Sequence, residues 1–270
     1  MSSIVPASSR PSAFGVNVLT LVTGTTIAQI IIILASPIIT RLYSPEIFGL
    51  LALFTSITNI IGVIACLRYE LAIMLPKSDE EAANIFGLSI IFVFLVSIIT
   101  IPLLFLFQRP VLLLLKTPQL GPFLWLIPVM TLITGISLAL EYWNTRTKHF
   151  HRQSIARIMR SGSSTGTQLG MGFFGHASGG ALIGANILGQ MVYVIALGIQ
   201  IMRDYLSFFK KNITWNGMNY ALKRYSNFLK FDIWSAFLNT ISWQIPIFLL
   251  SFFFSTTVVG YYSLGMMVIQ

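Results

Sequence analysis

The sequence predicts an all-α fold, a polytopic integral membrane helix bundle with about eight transmembrane helices. Hydrophobic residues make up 55% of the chain and charged residues only 9%, whereas soluble domains carry about 25% charged residues. The mean hydropathy of +0.81 points the same way. Apolar runs also recur at the length of about 20 residues that is needed to cross a bilayer. Lipid is therefore the expected solvent for most side chains.

Eight runs satisfy this length rule, and the fifth is unusually rich in glycine, serine and threonine. In chain order the predicted spans are 14–39, 47–65, 83–107, 120–140, 160–175, 179–202, 231–250 and 252–269. The acidic residues after Ser78 predict an N-cap at the start of the third helix, because carboxylates complement the helix dipole there.

The placement of the basic residues predicts the orientation. With the N-terminus on the cytoplasmic side, all Lys and Arg except Arg41, Arg109 and Lys116 fall on the inner side. This asymmetry follows the positive-inside rule. The net charge of +9 thus reflects orientation and contact with anionic membrane lipids, and we expect no nucleic-acid partner.

The domain organisation follows from the spans and from a weak internal repeat of helix pairs. Gln29 and Gly49 in the first pair align with Gln244 and Gly260 in the last, which is typical of transporter folds. We predict an N-terminal six-helix bundle over 1–202 and a basic, amphipathic cytoplasmic linker over 203–230. The start of an incomplete second bundle is expected over 231–270.

Seven side-chain amides are predicted to lie at membrane depth and must face protein or water. They can join helices through hydrogen bonds of about 0.6 kcal/mol each, or they can line a partly polar cavity. These residues are Gln29, Asn59, Gln168, Asn186, Gln190, Asn239 and Gln244.

Arg41, Arg68 and Glu70 bound the first two predicted helices and are the charged candidates for a binding site. The planar arginine fork suits phosphate because it can make two parallel hydrogen bonds to one head group. The alternative for Arg68 and Glu70 is an ordinary interfacial anchor.

Other motifs predict packing and no cofactor. Glycines at four-residue spacing (Gly162, Gly166, Gly170) favour close approach of neighbouring helices. The segment that contains Gly162 lacks the lysine of a phosphate-binding loop. His149 and His151 do not have the spacing typical of metal ligands. We expect neither a metal nor a cofactor.

Three stretches resemble a known family: PIITRLYSPEIFGLLALF (37–54), LRYELAIMLP (67–76) and SFFFSTTVVGYYSL (251–264). They are similar to the polysaccharide transport family, the lipid-linked oligosaccharide flippases of the multidrug/oligosaccharidyl-lipid/polysaccharide exporter superfamily. That family has twelve or more helices in two halves, so we expect this chain to be a C-terminally truncated member or to pair with another copy.

The resemblance implies a non-enzymatic transporter of the bacterial inner membrane. It implies alternating-access flipping of polyprenyl-diphosphate-linked oligosaccharides for O-antigen (lipopolysaccharide) or capsule assembly, through a cavity with cationic lining. Arg41, Arg68, Glu70, Gln29, Asn59 and Gln244 are the predicted substrate contacts. A coupling cation and other polysaccharide assembly proteins are candidate partners. Alternatives are a cation-coupled multidrug exporter and a membrane enzyme or subunit of polysaccharide assembly.

Overall fold

The computed structural model describes residues 13–269 of the chain, with side chains from 22 to 267. Every regular element in this range is helical. The helices are α1 (Ala13–Leu42), α2 (Pro45–Gly62), α3 (Tyr69–Ala72), α4 (Asp79–Leu115), α5 (Gly121–Leu124), α6 (Ile127–Arg146), α7 (Phe150–Phe173), α8 (Gly179–Asn212), α9 (Trp215–Arg224), α10 (Ile233–Phe253) and α11 (Thr256–Ile269). A 3₁₀ turn (Pro118–Leu120) precedes α5, and a π turn (Phe228–Asp232) precedes α10.

The all-helical membrane fold is confirmed, and eight of the helices are long. Five described helices are long and apolar enough to span a membrane, or six if the bent pair of 118–124 and 127–146 is one span. Helices α7 and α11 fall outside this count, because α7 carries Arg152, Arg157 and Arg160 among many small polar residues and α11 has only 14 residues. That these two helices also cross the membrane, as the eight-span prediction requires, stays a prediction.

Several helix ends match the sequence prediction, and others extend beyond it. The Ser78 side chain accepts a hydrogen bond from the Glu81 amide at 3.3 Å, which confirms the predicted N-cap of α4. Helix α4 continues to Leu115 through Pro110, past the predicted span. Helix α8 continues to Asn212, past the predicted start of the linker at residue 203, and α9 forms within that linker.

Six helices form the main bundle. Helix α7 packs between α1 and α8, α6 packs against α4 and α8, and α2 contacts α6 and α8. The largest buried cluster surrounds Trp143 of α6, whose ring lies 4.8 Å from that of Phe209 on α8. Helices α10 and α11 form a hairpin, which we call the C-terminal hairpin, and it packs mainly on α2.

The two ends of the bundle differ in charge. The end formed by the connections 43–44, 116–126, 174–178 and 254–255 is called the outer end, after the predicted orientation. The opposite, inner end holds ion pairs such as that of Arg146 with Asp79 at 2.9 Å and that of Arg224 with Glu81 at 3.1 Å. These pairs tie α4 to α6 and α9, so the basic residues there also fasten helices together.

The predicted glycine ladder does not pack closely against the described residues. A Cβ at Gly162, Gly166 or Gly170 would have no described atom within 4 Å, because this face of α7 is turned away from the helices that pack on it. Close approach occurs at other glycines instead. A Cβ at Gly189 of α8 would lie 2.8 Å from the Ser164 Cβ of α7.

Candidate functional site

A polar cavity of about 570 Å³ lies inside the main bundle, between α1, α2, α6, α7 and α8. Helix α7 contributes a polar stripe whose members recur at helical spacing along one face. The stripe consists of Arg157, Arg160, Ser161, Ser164, Thr165 and Gln168. A membrane bundle that keeps such a stripe must give it protein or water to contact.

The inner part of the cavity carries two cations and one anion. Arg157 forms an ion pair with Glu141 of α6 and lies close to the Tyr193 side chain of α8. Arg160, one helical turn further along α7, also lines the cavity and has no hydrogen bond or ion pair with any described side chain. The residues without described side chains include no Asp or Glu. Among the described residues that line it, the cavity therefore holds one more cation than carboxylates, since Arg157 and Arg160 share the single charge of Glu141.

Helix α8 adds hydrogen-bonding capacity to the same cavity. Gln190 donates from Nε2 to the Ser137 hydroxyl at 2.8 Å, while its carbonyl oxygen has no partner among the described groups. Asn186, one turn away, likewise presents an unpaired carbonyl oxygen. Buried polar atoms normally find partners, so a pair of unpaired acceptors beside a cavity is typical of a site for a hydroxyl-rich or hydrated ligand.

Some of the predicted site residues meet in this cavity. Gln29 of α1 and Asn59 of α2 both line it, and the further amides Gln168, Asn186 and Gln190 line it too. Of the two interpretations of the membrane-depth amides, the structure supports a polar cavity for these five. Within the described part of the chain, Gln190 is the one amide of these five that also joins two helices by a side-chain hydrogen bond, to Ser137.

The other predicted site residues lie elsewhere. Arg41 is exposed at the outer end of α1, and Gln244 is half-buried in α10, outside the cavity lining. Arg68 donates from Nε to Asp232 at 2.8 Å and lies 3.3 Å from a Glu70 carboxylate oxygen. This cluster fastens the connection between α2 and α4 to the π turn before α10, and it does not line the cavity.

The backbone around Arg68 is unusual. Leu67 and Arg68 both have positive φ, at 49° and 65°, a conformation that costs L-residues roughly 1–2 kcal/mol each. Glu70 is only 1% exposed, and one of its carboxylate oxygens has no described partner. The surrounding structure thus holds Arg68 in place at the expense of local strain.

Arg157, Arg160 and Glu141 are the functional candidates that the sequence analysis missed. The predicted fifth span began at residue 160, so Arg157 and Arg160 counted as inner-side charges that set orientation. Helix α7 in fact begins at Phe150. The signal that could have revealed the site is helical spacing. Arg157 and Arg160 fall on the same helical face as the polar residues of the predicted fifth span.

No curated protein and no solved structure matches the chain. A family model described as polysaccharide biosynthesis protein matches residues 38–270. The match includes all three stretches that carry the sequence resemblance except the residue at 37, and it includes the whole of α2 to α11. The chain is thus a multi-pass helical membrane protein that belongs to the polysaccharide biosynthesis protein family, a family of the transporter type.

Proposed function

We propose that the chain flips polyprenyl-diphosphate-linked oligosaccharides across the bacterial inner membrane by alternating access, with its N-terminus in the cytoplasm. The product would serve O-antigen or capsular polysaccharide assembly. Family membership supports a role in polysaccharide export or assembly. The single observation that carries the flippase proposal is Arg160, a cation that lines the polar cavity and has no ion pair among the described residues.

A diphosphate suits this site because it brings concentrated negative charge into a region of low dielectric constant, where charge pairing is stronger than in water. Arg160 can offer a diphosphate two parallel hydrogen bonds. Arg157, held by Glu141, forms the adjacent wall. The amides of Gln29, Asn59 and Asn186 would face the sugar hydroxyls, since a few well-placed polar groups orient a ligand in a pocket.

Of the other predicted contacts, Arg68 and Glu70 act as a structural cluster in this proposal. Their guanidinium and carboxylate groups are engaged with each other and with Asp232 outside the cavity. Arg41 and Gln244 are likewise left outside the proposed binding site.

A second candidate, a cation-coupled multidrug exporter, is favoured by Glu141, a carboxylate that lines the cavity. Such exporters need an acidic group at membrane depth for the coupling ion or the drug. Glu141 is already paired with Arg157, so the surplus charge of the cavity is positive and suits anions better. This difference in the sign of the surplus charge separates the two candidates.

The test is complementation of a strain that lacks its own flippase, with surface polysaccharide as the readout. Arg160→Ala should lower flipping by at least about tenfold, since a charge-assisted hydrogen bond contributes about 1.5–3 kcal/mol. Arg160→Lys should fall between Ala and the native residue, because it keeps the charge and loses the fork. Arg203→Ala is the matched control, with a side chain 86% exposed at the inner part of α8.

Equal flipping by the native chain and Arg160→Ala, at matched membrane levels, would contradict a role for Arg160 in substrate binding. Drug resistance that depends on Glu141, together with no change in surface polysaccharide, would favour the exporter.

A further inference from the structure

An apolar groove of about 490 Å³ runs between α2, α4 and α10, and we call it the outer groove. Every described side chain that lines it is apolar. Leu115 is the last residue of α4 and Phe252 lies one residue before the end of α10, so the groove begins at the outer end of the bundle. Its rim is open, because Leu114 and Leu249 are about half exposed. The volume falls within the range of about 300–1,000 Å³ that is typical of ligand pockets.

The outer groove reaches about as deep as one leaflet of a membrane. Its deepest contribution from α2 is Ile57, twelve residues after Pro45 at the outer start of that helix. At about 1.5 Å per residue this distance is about 18 Å along the helix. Half of a hydrocarbon core is about 15 Å, so the groove has the length that an acyl chain of the outer leaflet needs.

The Lys116 ammonium lies at the outer end of this groove. Its Nζ is 5.3 Å from the centre of the Phe252 ring, and this cation–π contact holds the charge beside the groove. Lys116 has no ion pair among the described residues. It is also one of the three basic residues that the positive-inside pattern leaves on the outer side, so orientation does not account for its position.

We propose that the outer groove is a binding site for an anionic phospholipid of the outer leaflet. One acyl chain lies along the apolar lining, and the phosphate accepts hydrogen bonds from the Lys116 ammonium, which has three N–H donors. A zwitterionic lipid fits less well, because it brings a cation of its own toward Lys116. The inference goes beyond the proposed function, since this lipid is not transported and no residue of the outer groove lines the Arg160 cavity.

A lipid in this position joins the C-terminal hairpin to α4. Among the described residues of the hairpin only Ser251, Val259 and Gly260 are buried. The α10 side chains that line the groove, such as Leu249, therefore gain apolar contacts when an acyl chain fills the space between α10 and α4. Removing their surface from contact with water or detergent stabilises the packed hairpin.

Tryptophan quenching by brominated lipid tests the site in a bilayer. Phe253 lines the groove and is 66% exposed, so Phe253→Trp places a fluorescent reporter at the rim. The variant is reconstituted without any lipid-linked sugar, in mixtures of brominated phosphatidylglycerol and unbrominated phosphatidylethanolamine. The signal of the same protein with the native Phe253 is subtracted. Quenching of the remainder then gives the lipid composition at the groove.

Phosphatidylglycerol should be enriched at the reporter at least about fivefold over the bulk membrane, because a basic residue contributes about 1 kcal/mol to contact with an anionic lipid. Lys116→Gln in the reporter background should return the local composition to that of the bulk. Arg109→Gln is the matched control and should keep the enrichment, since Arg109 is an exposed cation of the same helix that does not line the groove.

Filling the groove gives a second variant. Leu114→Phe should reduce the enrichment, because Leu114 lines the groove. Leu113→Phe should keep it, because the neighbouring Leu113 is 78% exposed and lies outside the lining.

A local composition equal to the bulk in the reporter protein, which keeps Lys116, would overturn the proposal, and this result needs no further variant to fold. Equal enrichment with and without Lys116 would also overturn it. In that case Lys116 only offsets the dipole at the C-terminus of α4. Because no lipid-linked sugar is present, enrichment that depends on Lys116 sustains this inference even if the chain flips no substrate.

Discussion

At the scale of single residues, Glu70 is the clearest case of a side chain whose surroundings change its chemistry. Burial in the connection between α2 and α4 raises the pKa of Glu70 to about 7, and the nearby Arg68 guanidinium offsets only part of this effect. A carboxyl with a raised pKa binds its proton more tightly in the folded state. Its contribution to stability is therefore fully present below the unfolded pKa near 4.5 and is lost as the pH rises through about 7.

We expect the free energy of unfolding to fall by about 3 kcal/mol between pH 4.5 and 7 through this group, at about 1.4 kcal/mol for each unit of pKa difference. Glu70→Gln should remove that part of the pH dependence, because the amide resembles the protonated carboxyl and does not titrate. Thermal unfolding of detergent-solubilised protein across this range measures the effect. Glu80→Gln, exposed in the first turn of α4, is the control, and equal pH profiles for native protein and Glu70→Gln would contradict the expectation.

At the scale of helices, three C-termini end in the same hydrogen-bonded turn. The turn needs a residue in the left-handed region, and Gly175 supplies it after α7 with φ of 78°. Lys116 after α4 and Lys148 after α6 adopt the same conformation with φ of 52° and 59°. The His149 amide bonds to the Asn144 carbonyl at 2.9 Å and the Lys148 amide to that of Thr145 at 3.1 Å, which completes the motif after α6.

Lys148→Gly should stabilise the protein by about 1 kcal/mol, because glycine adopts this conformation without the steric cost that an L-residue bears. Lys148→Ala removes the same charge and keeps the strain, so it separates the backbone effect from the loss of a cation. Gly175→Ala should lower stability by a similar amount. The unfolding midpoints of the variants are compared. A midpoint for Lys148→Ala above that for Lys148→Gly would contradict this expectation.

These helix ends also show which parts of the fold the sequence could predict. The apolar runs predicted the long helices, and the acidic residues after Ser78 predicted the cap of α4, because both are local properties of the sequence. They could not predict the turns at Lys116 and Lys148, where no glycine marks the end of a helix. The start of α7 was misplaced because its arginines look like loop charges until their partners are known. Gln29 and Asn59 were predicted as site residues, whereas Arg157 and Arg160 required the fold, since Glu141 reaches Arg157 only when α6 and α7 pack together.

At the scale of the whole molecule, the structure separates the chain into an ion-paired end and an end with few charges. The connection at 63–78, the α6–α7 turn and the residues around Asp232 gather at the inner end, where Arg68 and Arg146 form ion pairs. Lys116 and His176 belong to the opposite end, where the connections between helices are short. Because five of the described helices that pass between the two ends are long and apolar enough to span a membrane, we expect the membrane to lie between the ends.

By the positive-inside rule we expect the ion-paired end to face the cytoplasm. Reporter fusions at Lys148 and Lys211 should be active only with a cytoplasmic reporter, and fusions at Lys116 and His176 only with an external one. The four fusion sites lie in or after different helices, so they test the fold as well as the orientation. Helix α7 connects Lys148 to His176, and a result that places both on one side would mean that this arginine-bearing helix does not cross the membrane. A reversed pattern at all four sites would keep the fold and overturn the orientation, and would place the Arg160 cavity nearer the external face.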